Sequence, residues 1–188
     1  VLERKEVQMA NKGVMILAEP ADGKLATIST ELLGMGRKLA DDLGEELAAV
    51  LIGDGVSGLA QEAIAFGADK VYVAEDALLK PYRTDAFLAA MEKVVAQAPP
   101  KVLLMGQNAV GRDLAPRLAF RLNTTVSMDC VELAIDPDSK LLLQTKPVYG
   151  GNARAIYTSD TMPQMATLRA KAGEPLPRDD SRQGEVIK

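Results

Sequence analysis

The sequence predicts a three-layer α/β domain: a mostly parallel sheet covered on both faces by helices, extended by antiparallel strands in its carboxyl-terminal third. Two observations carry that expectation. As far as residue 123, continuous apolar runs of strand length alternate with amphipathic helical patterns, the signature of a sheet buried on both faces. From residue 126 onward, strand-like runs follow one another with only turns between them.

The first run, "GVMILAE" (13–19), reads as a buried strand. "STELLGMGRKLADDLG" (29–44) follows, with Leu32, Leu33, Met35, Leu39, Ala40 and Leu43 at helical spacing. Ser29 or Thr30 can cap its start and Gly44 its end, while Gly34 and Gly36 leave room for close packing on a sheet. "ELAAVLIG" (46–53) is a second strand and "LAQEAIAFG" (59–67) a short helix. "DKVYVAED" (69–76), rich in β-branched residues, is a third strand. "RTDAFLAAMEKVVAQAP" (83–99) carries Phe87, Leu88, Met91, Val94 and Val95 on one stripe, with Thr84 or Asp85 as cap and Pro99 and Pro100 as stop. "KVLLMGQ" (101–107) is a fourth strand, and "GRDLAPRLAFRLN" (111–123) a helix with Leu114, Leu118 and Leu122 at four-residue spacing. The later runs are "VSMDCVELAI", "KLLLQTKPVY", "ARAIYTS" and "PQMATLRAK". They predict antiparallel strands extending the sheet or a β-lobe upon it. Residues 172–188 are polar and contain prolines, the composition of a linker.

Composition narrows the function. Hydrophobic residues at 47% and charged residues at 26% suit a soluble globular domain, and acids and bases summing to −4 are interspersed. The basic footprint of a nucleic-acid binder is absent, and with 4% aromatics and no Trp so is a base-stacking platform. No His is present, so neither a Ser-His-Asp nor a Cys-His centre can be assembled from this chain. Cys130 stands alone in an apolar run and reads as a buried, inert thiol. Asp41–Asp42 and Asp179–Asp180 read as solvated pairs, and no residue set is assigned to a metal. No apolar run reaches the roughly 20 residues of a bilayer span. The opening "VLERKEVQMANK" lacks a signal peptide's apolar core, which points to the cytoplasm. Met9 is a candidate internal start, making residues 1–12 an extension.

Three stretches are candidate sites. In "LMGQNAVGRDLAPRLA" (104–119) a strand gives way to a glycine-bearing loop and a helix. Such a junction presents free N–H groups and the positive end of a helix dipole. Gly106 and Gly111 permit close approach and Arg112 adds forked donors, so a phosphate or nucleotide could sit here. The plainer reading is a well-capped helix with a surface arginine. Pro116 places the first turn near Asp113, a good N-cap whose carboxylate would compete with an anion. The spacing matches neither a P-loop nor the dinucleotide fingerprint, and "IGDGVSG" (52–58) matches neither as well. In "PVYGGNA" (147–153), Tyr149, Gly150, Gly151 and Asn152 form either a plain turn between strands or a place where another chain approaches the backbone.

The runs "ILAEPADGKL", "ADKVYVAED", "GRDLAPRLAFRL", "SMDCVEL" and "KPVYGGNARA" occur in the order found in the alpha subunit of electron transfer flavoproteins. The chain resembles that family from residue 13 to about 188, and the succession "GRDLAPRLA", "DC", "PVYGGNA" is its most distinctive part. The resemblance implies a Rossmann-like amino-terminal domain over 13–171, followed at 172–188 by a linker toward an FAD-binding domain. On it the chain is expected to be a fragment of a longer protein. It also implies a beta subunit as partner, itself holding AMP or a second FAD, in a heterodimer that carries electrons from flavin dehydrogenases to an acceptor. FAD would belong to the complex and be held mainly outside this chain, with no catalytic residue needed here. The Tyr149–Asn152 turn would then be a partner interface. The competing expectation is a free-standing adenine-nucleotide-binding or sensor domain using Gly106, Gly111 and Arg112.

Overall fold

The structure, a computed structural model, describes residues 11–188; the candidate start at Met9 lies outside them. Strand β1 (Val14–Ala18) is at the middle of a seven-stranded sheet. β4 (Leu47–Gly53), β5 (Lys70–Glu75) and β12 (Glu185–Ile187) succeed one another on one side. β6 (Val102–Gly106), β11 (Gln164–Leu168) and β7 (Val126–Cys130) do so on the other. Every pairing in this sheet is parallel. A small ribbon, β2 (Pro20–Ala21) with β3 (Lys24–Leu25), precedes the first helix. A separate antiparallel sheet has the order β10 (Ala153–Tyr157), β9 (Leu142–Val148), β8 (Glu132–Ile135).

Alternation along the strands builds two cores. Val14, Ile16 and Ala18 of β1 face helices α1 (Thr27–Leu43) and α2 (Ala60–Ala65), with Leu47, Ala49 and Leu51 of β4 beside them. Met15 and Leu17 face α3 (Thr84–Gln97) and α4 (Ala109–Arg121), meeting Met91, Leu114 and Leu118. The uninterrupted apolar runs are thus explained: each successive residue is wanted by a different layer. The antiparallel lobe is rooted in the α1-side core through Leu133, Ile135 and Leu142.

Three details differ from expectation. First, of the two arrangements expected of the carboxyl-terminal strands, the β-lobe is found and the antiparallel lengthening of the main sheet is not. β7 and β11 join it in parallel, and the antiparallel strands form their own sheet. The run "VSMDCVELAI" is divided between the two sheets at Val131, just after a kink within β7 at Asp129, which adopts φ 65°. The register of β7 against β11 slips at this point, and a bulge of this kind re-aims a strand. Second, α1 begins at Thr27 with Ala26 as a cap lacking any side-chain bond. The Ser29 hydroxyl instead serves Glu19, accepting from its N–H at 2.7 Å and donating to its carbonyl at 3.1 Å. Gly44 ends the helix in the left-handed conformation, as expected. Third, α4 begins at Ala109, well before Asp113. Asn108 is its N-cap, its Oδ1 accepting from Gly111 N–H at 3.0 Å. Pro116 lies inside the helix, where it leaves the carbonyl of Arg112 without its usual N–H donor.

The polar tail is laid on the domain. A Cβ on Gly34 would overlap the carbonyl oxygen of Glu174, and one on Gly67 would stand 2.9 Å from Leu176 Cδ1. Asp179 N–H donates to Ala65 O at 3.0 Å, Glu185 N–H to Asp69 O at 2.9 Å, and the chain continues as β12 along β5.

Candidate functional site

The carboxyl ends of β1 and β6 converge where the strand order reverses, the place at which open α/β sheets take ligands. Gly106 ends β6 and Gly111 sits in the first turn of α4. A Cβ on Gly106 would come within 2.7 Å of Ile28 Cγ1, and one on Gly111 would overlap the Gly106 carbonyl oxygen. The smallness of both glycines is therefore used within the chain, seating α4 tightly on β6.

The crevice beside them holds a carboxylate. Glu19 follows β1, and its Oε1 accepts from Asn108 Nδ2 at 2.8 Å. Burial lifts the Glu19 carboxyl above the ordinary glutamate range, against the pull of the Asn108 bond. Asn108 thus joins two elements, capping α4 with its oxygen and holding Glu19 with its nitrogen. A carboxylate held at this junction is unfavourable to a second anion such as a pyrophosphate. The adjacent open cleft, about 280 Å³, lies over the ends of β1 and β4 and is mainly apolar, with Leu17, Ile52, Phe87 and Val110 in its wall.

Asp113, expected as a cap, instead ties α4 to the start of α3. It accepts from Tyr82 OH at 2.8 Å, Thr84 Oγ1 at 2.5 Å and Arg117 Nε at 3.0 Å. Thr84 and Tyr82 together keep its carboxyl below the usual aspartate range. Burial and the bond to Asp113 push the Tyr82 phenol up to about 12.

The second candidate stands in the open. Tyr149, Gly150, Gly151 and Asn152 connect β9 to β10, with φ of 51°, 67° and 94° at the first three. A Cβ on either glycine would meet nothing within 4 Å. The glycines answer to backbone conformation and not to packing. Tyr149 is 84% exposed, Ile156 65% and Tyr157 45%. Lys146 Nζ stands 5.9 Å from the Tyr157 ring centroid.

At the root of this lobe Asp129 accepts from Arg169 Nε at 2.8 Å and Nη2 at 2.5 Å. The Arg169 bonds hold its carboxyl below the usual range, and the charges of Lys146 and Arg112 add to the effect. Arg112 is thus near enough to the root of the lobe for its charge to be felt at Asp129. Beside it Cys130 is buried, and burial pushes its thiol up to about 11, so it is inert at neutral pH.

Glu19, Asn108 and Tyr82 escape a reading of the sequence, apart from one signal: an Asn immediately before a helical pattern is a cap; Thr84 is legible only as a cap, a place that Arg83 takes instead. The pairing of Glu19 with Asn108 joins residues 89 positions apart, which no local pattern announces.

Fold and surface together define a Rossmann-like α/β domain with a carboxylate–amide pair at its crevice and an antiparallel lobe whose outer strand is largely exposed. The model of the electron transfer flavoprotein domain matches residues 14–188, and the chain belongs to the electron transfer flavoprotein family. It is 46% identical, over 94% of its length, to the electron transfer flavoprotein subunit alpha of Thermoanaerobacterium thermosaccharolyticum, of which it covers 54%. It is 44% identical over 94% of its length to that of Megasphaera elsdenii, covering 52%. It is 41% identical over 95% of its length to Protein FixB of Azorhizobium caulinodans, covering 49%. The chain thus spans about half the length of these curated relatives. Among the described residues, no helix is long and apolar enough to cross a membrane.

Proposed function

We propose that this chain serves as the amino-terminal domain of an electron transfer flavoprotein alpha subunit, scaffolding a heterodimer with a beta subunit. That complex carries electrons in the cytoplasm from flavin dehydrogenases to an acceptor, and the role of this chain is that of a carrier's platform and not of a catalyst. The observation that carries the reading is the match to the family along residues 14–188, together with relatives named as alpha subunits. Residues 13–171 are the body of the domain and 172–188 a strap that leaves it along β5. FAD belongs to the complex and supplies its redox chemistry there. The Glu19 carboxylate beside Gly106 and Gly111 works against an anionic pyrophosphate there, so those two glycines are assigned to seating α4. Arg112 contributes positive charge beside the lobe. Tyr149, Gly150, Gly151 and Asn152 form the part of the lobe that meets the beta subunit.

Co-expression with an electron transfer flavoprotein beta subunit tests this. The expected result is a 1:1 complex on size-exclusion chromatography, weakened by Tyr149→Ala and unaffected by the same change at the distant, exposed Leu78. Two results would overturn it: no association with the beta subunit, or the 188 residues emerging alone with stoichiometric flavin or AMP bound.

A further inference from the structure

Resting on the proposed pairing with a beta subunit, we infer that the partner is recognised through the backbone of β10, by adding a strand to its outer edge.

The parity of the lobe shows which groups are free. Val131 N–H donates to Thr145 O at 2.9 Å, and Asp136 N–H to Leu141 O at 2.9 Å, so the odd-numbered residues of β9 turn their backbone groups toward β8. The even-numbered ones, Gln144, Lys146 and Val148, turn theirs toward β10, where they face Tyr157, Ala155 and Ala153. Pro147, which has no N–H to give, falls on the β8-facing set, consistent with this pattern. On β10 the pattern leaves Arg154 and Ile156 with N–H and C=O directed away from β9. No described strand lies on that side.

An edge of this kind is ordinarily blunted by proline, by an inward charge or by a covering element, because it templates pairing with any strand that arrives. β10 carries no proline and no acid, and no described strand covers its outer side. Three of the large apolar side chains exposed on the described surface, Tyr149, Ile156 and Tyr157, are on this strand or the turn before it. Between residues 142 and 157 the only charged residues are Lys146 and Arg154, both basic, on a chain whose net charge is −4. The edge therefore suits a partner strand with apolar residues and acidic or neutral polar ones, and disfavours a second copy of itself, which would bring a second basic strand with Lys146 and Arg154 and no acid to pair them. Main-chain pairing supplies affinity in such additions, and side chains on the two faces supply selectivity.

Hydrogen exchange on the full chain, free and with the beta subunit, reads the inference directly. The amides of Arg154 and Ile156 should exchange rapidly in the free chain and at least about tenfold more slowly in the complex, since each gains a backbone bond. Ile156→Pro removes one outward N–H without touching the β9 ladder and should weaken the complex about tenfold or more, whereas Ile156→Ala keeps the N–H and should cost less. A beta subunit that binds while leaving both amides unprotected, or that binds the proline variant as tightly as the unaltered chain, would overturn strand addition and leave the proposed function standing. Protection that grows with the concentration of the chain alone would assign the edge to a second copy and overturn the inference as well. No binding of the beta subunit to the unaltered chain would remove the proposed function itself, and this inference with it.

Discussion

Glu19 places a half-buried carboxyl at the junction where open α/β sheets take ligands. Its carboxyl is held above its ordinary range first by burial, with Asn108 acting in the opposite direction. A carboxyl whose folded value is raised favours the folded state fully at acid pH, and that contribution is lost as pH rises through the folded value. Glu19→Gln keeps an oxygen to accept from Asn108 and removes the titration. Its melting temperature should match that of the unaltered chain near about pH 4 and exceed it increasingly toward about pH 8. Asp69 and Asp129, whose carboxyls are held low, bias stability the other way in both proteins and so cancel from the difference. A difference that shrinks with rising pH would show that the Asn108 bond, and not burial, governs this carboxyl.

Among the elements, the tail from residue 172 to 188 depends on fit more than on charge. Asp69 gathers Arg37 at 2.6 Å, Leu47 N–H at 2.8 Å and Arg182 at 2.7 Å. Burial alone would raise its carboxyl, but the Leu47, Arg37 and Arg182 contacts outweigh this and hold it low. Yet Arg182 Nε is buried with no hydrogen-bond partner. An unmet buried donor costs about 1–3 kcal/mol, which offsets much of what the ion pair contributes. The glycine at position 34, by contrast, admits the Glu174 carbonyl where any side chain would collide. Gly34→Ala should therefore destabilise the protein by about 2–3 kcal/mol and speed amide exchange along β12, while Arg182→Ala should cost under about 1 kcal/mol. Denaturant melts and exchange rates of the two variants check the order; a larger loss for Arg182→Ala would reverse the argument.

For the molecule as a whole, both helix layers are built on the same seven strands, so neither core survives without the other. The lobe shares the α1-side core and is joined to the sheet at Cys130. Unfolding should accordingly be one cooperative transition. Far-ultraviolet circular dichroism and labelling of the Cys130 thiol should give the same denaturant midpoint, with no labelling beforehand at neutral pH. Labelling at a lower midpoint would make the lobe an independent unit. Two adjacent parallel strands, β7 and β11, depend on contacts between distant stretches of chain, and this explains why they were expected to be antiparallel. A strand's direction is set by its connection and neighbours, whereas its own residues record only that it is buried.

Burial of alternate residues on two helix layers forces continuous apolar runs, and helices on those layers require apolar stripes, so strand, helix and parallel-sheet core could be read from residue order alone. The absence of histidine and the motif succession ending in "PVYGGNA" likewise needed no coordinates to exclude a histidine-based catalytic centre within this chain and to indicate the family. Which side chain stands at the crevice, where "VSMDCVELAI" changes sheets, how the polar tail is bound and which edge of β10 is open were decided only in three dimensions. Each depends on groups brought together from far apart in the chain, and a contact of that kind leaves no period, cap or spacing in the sequence around it.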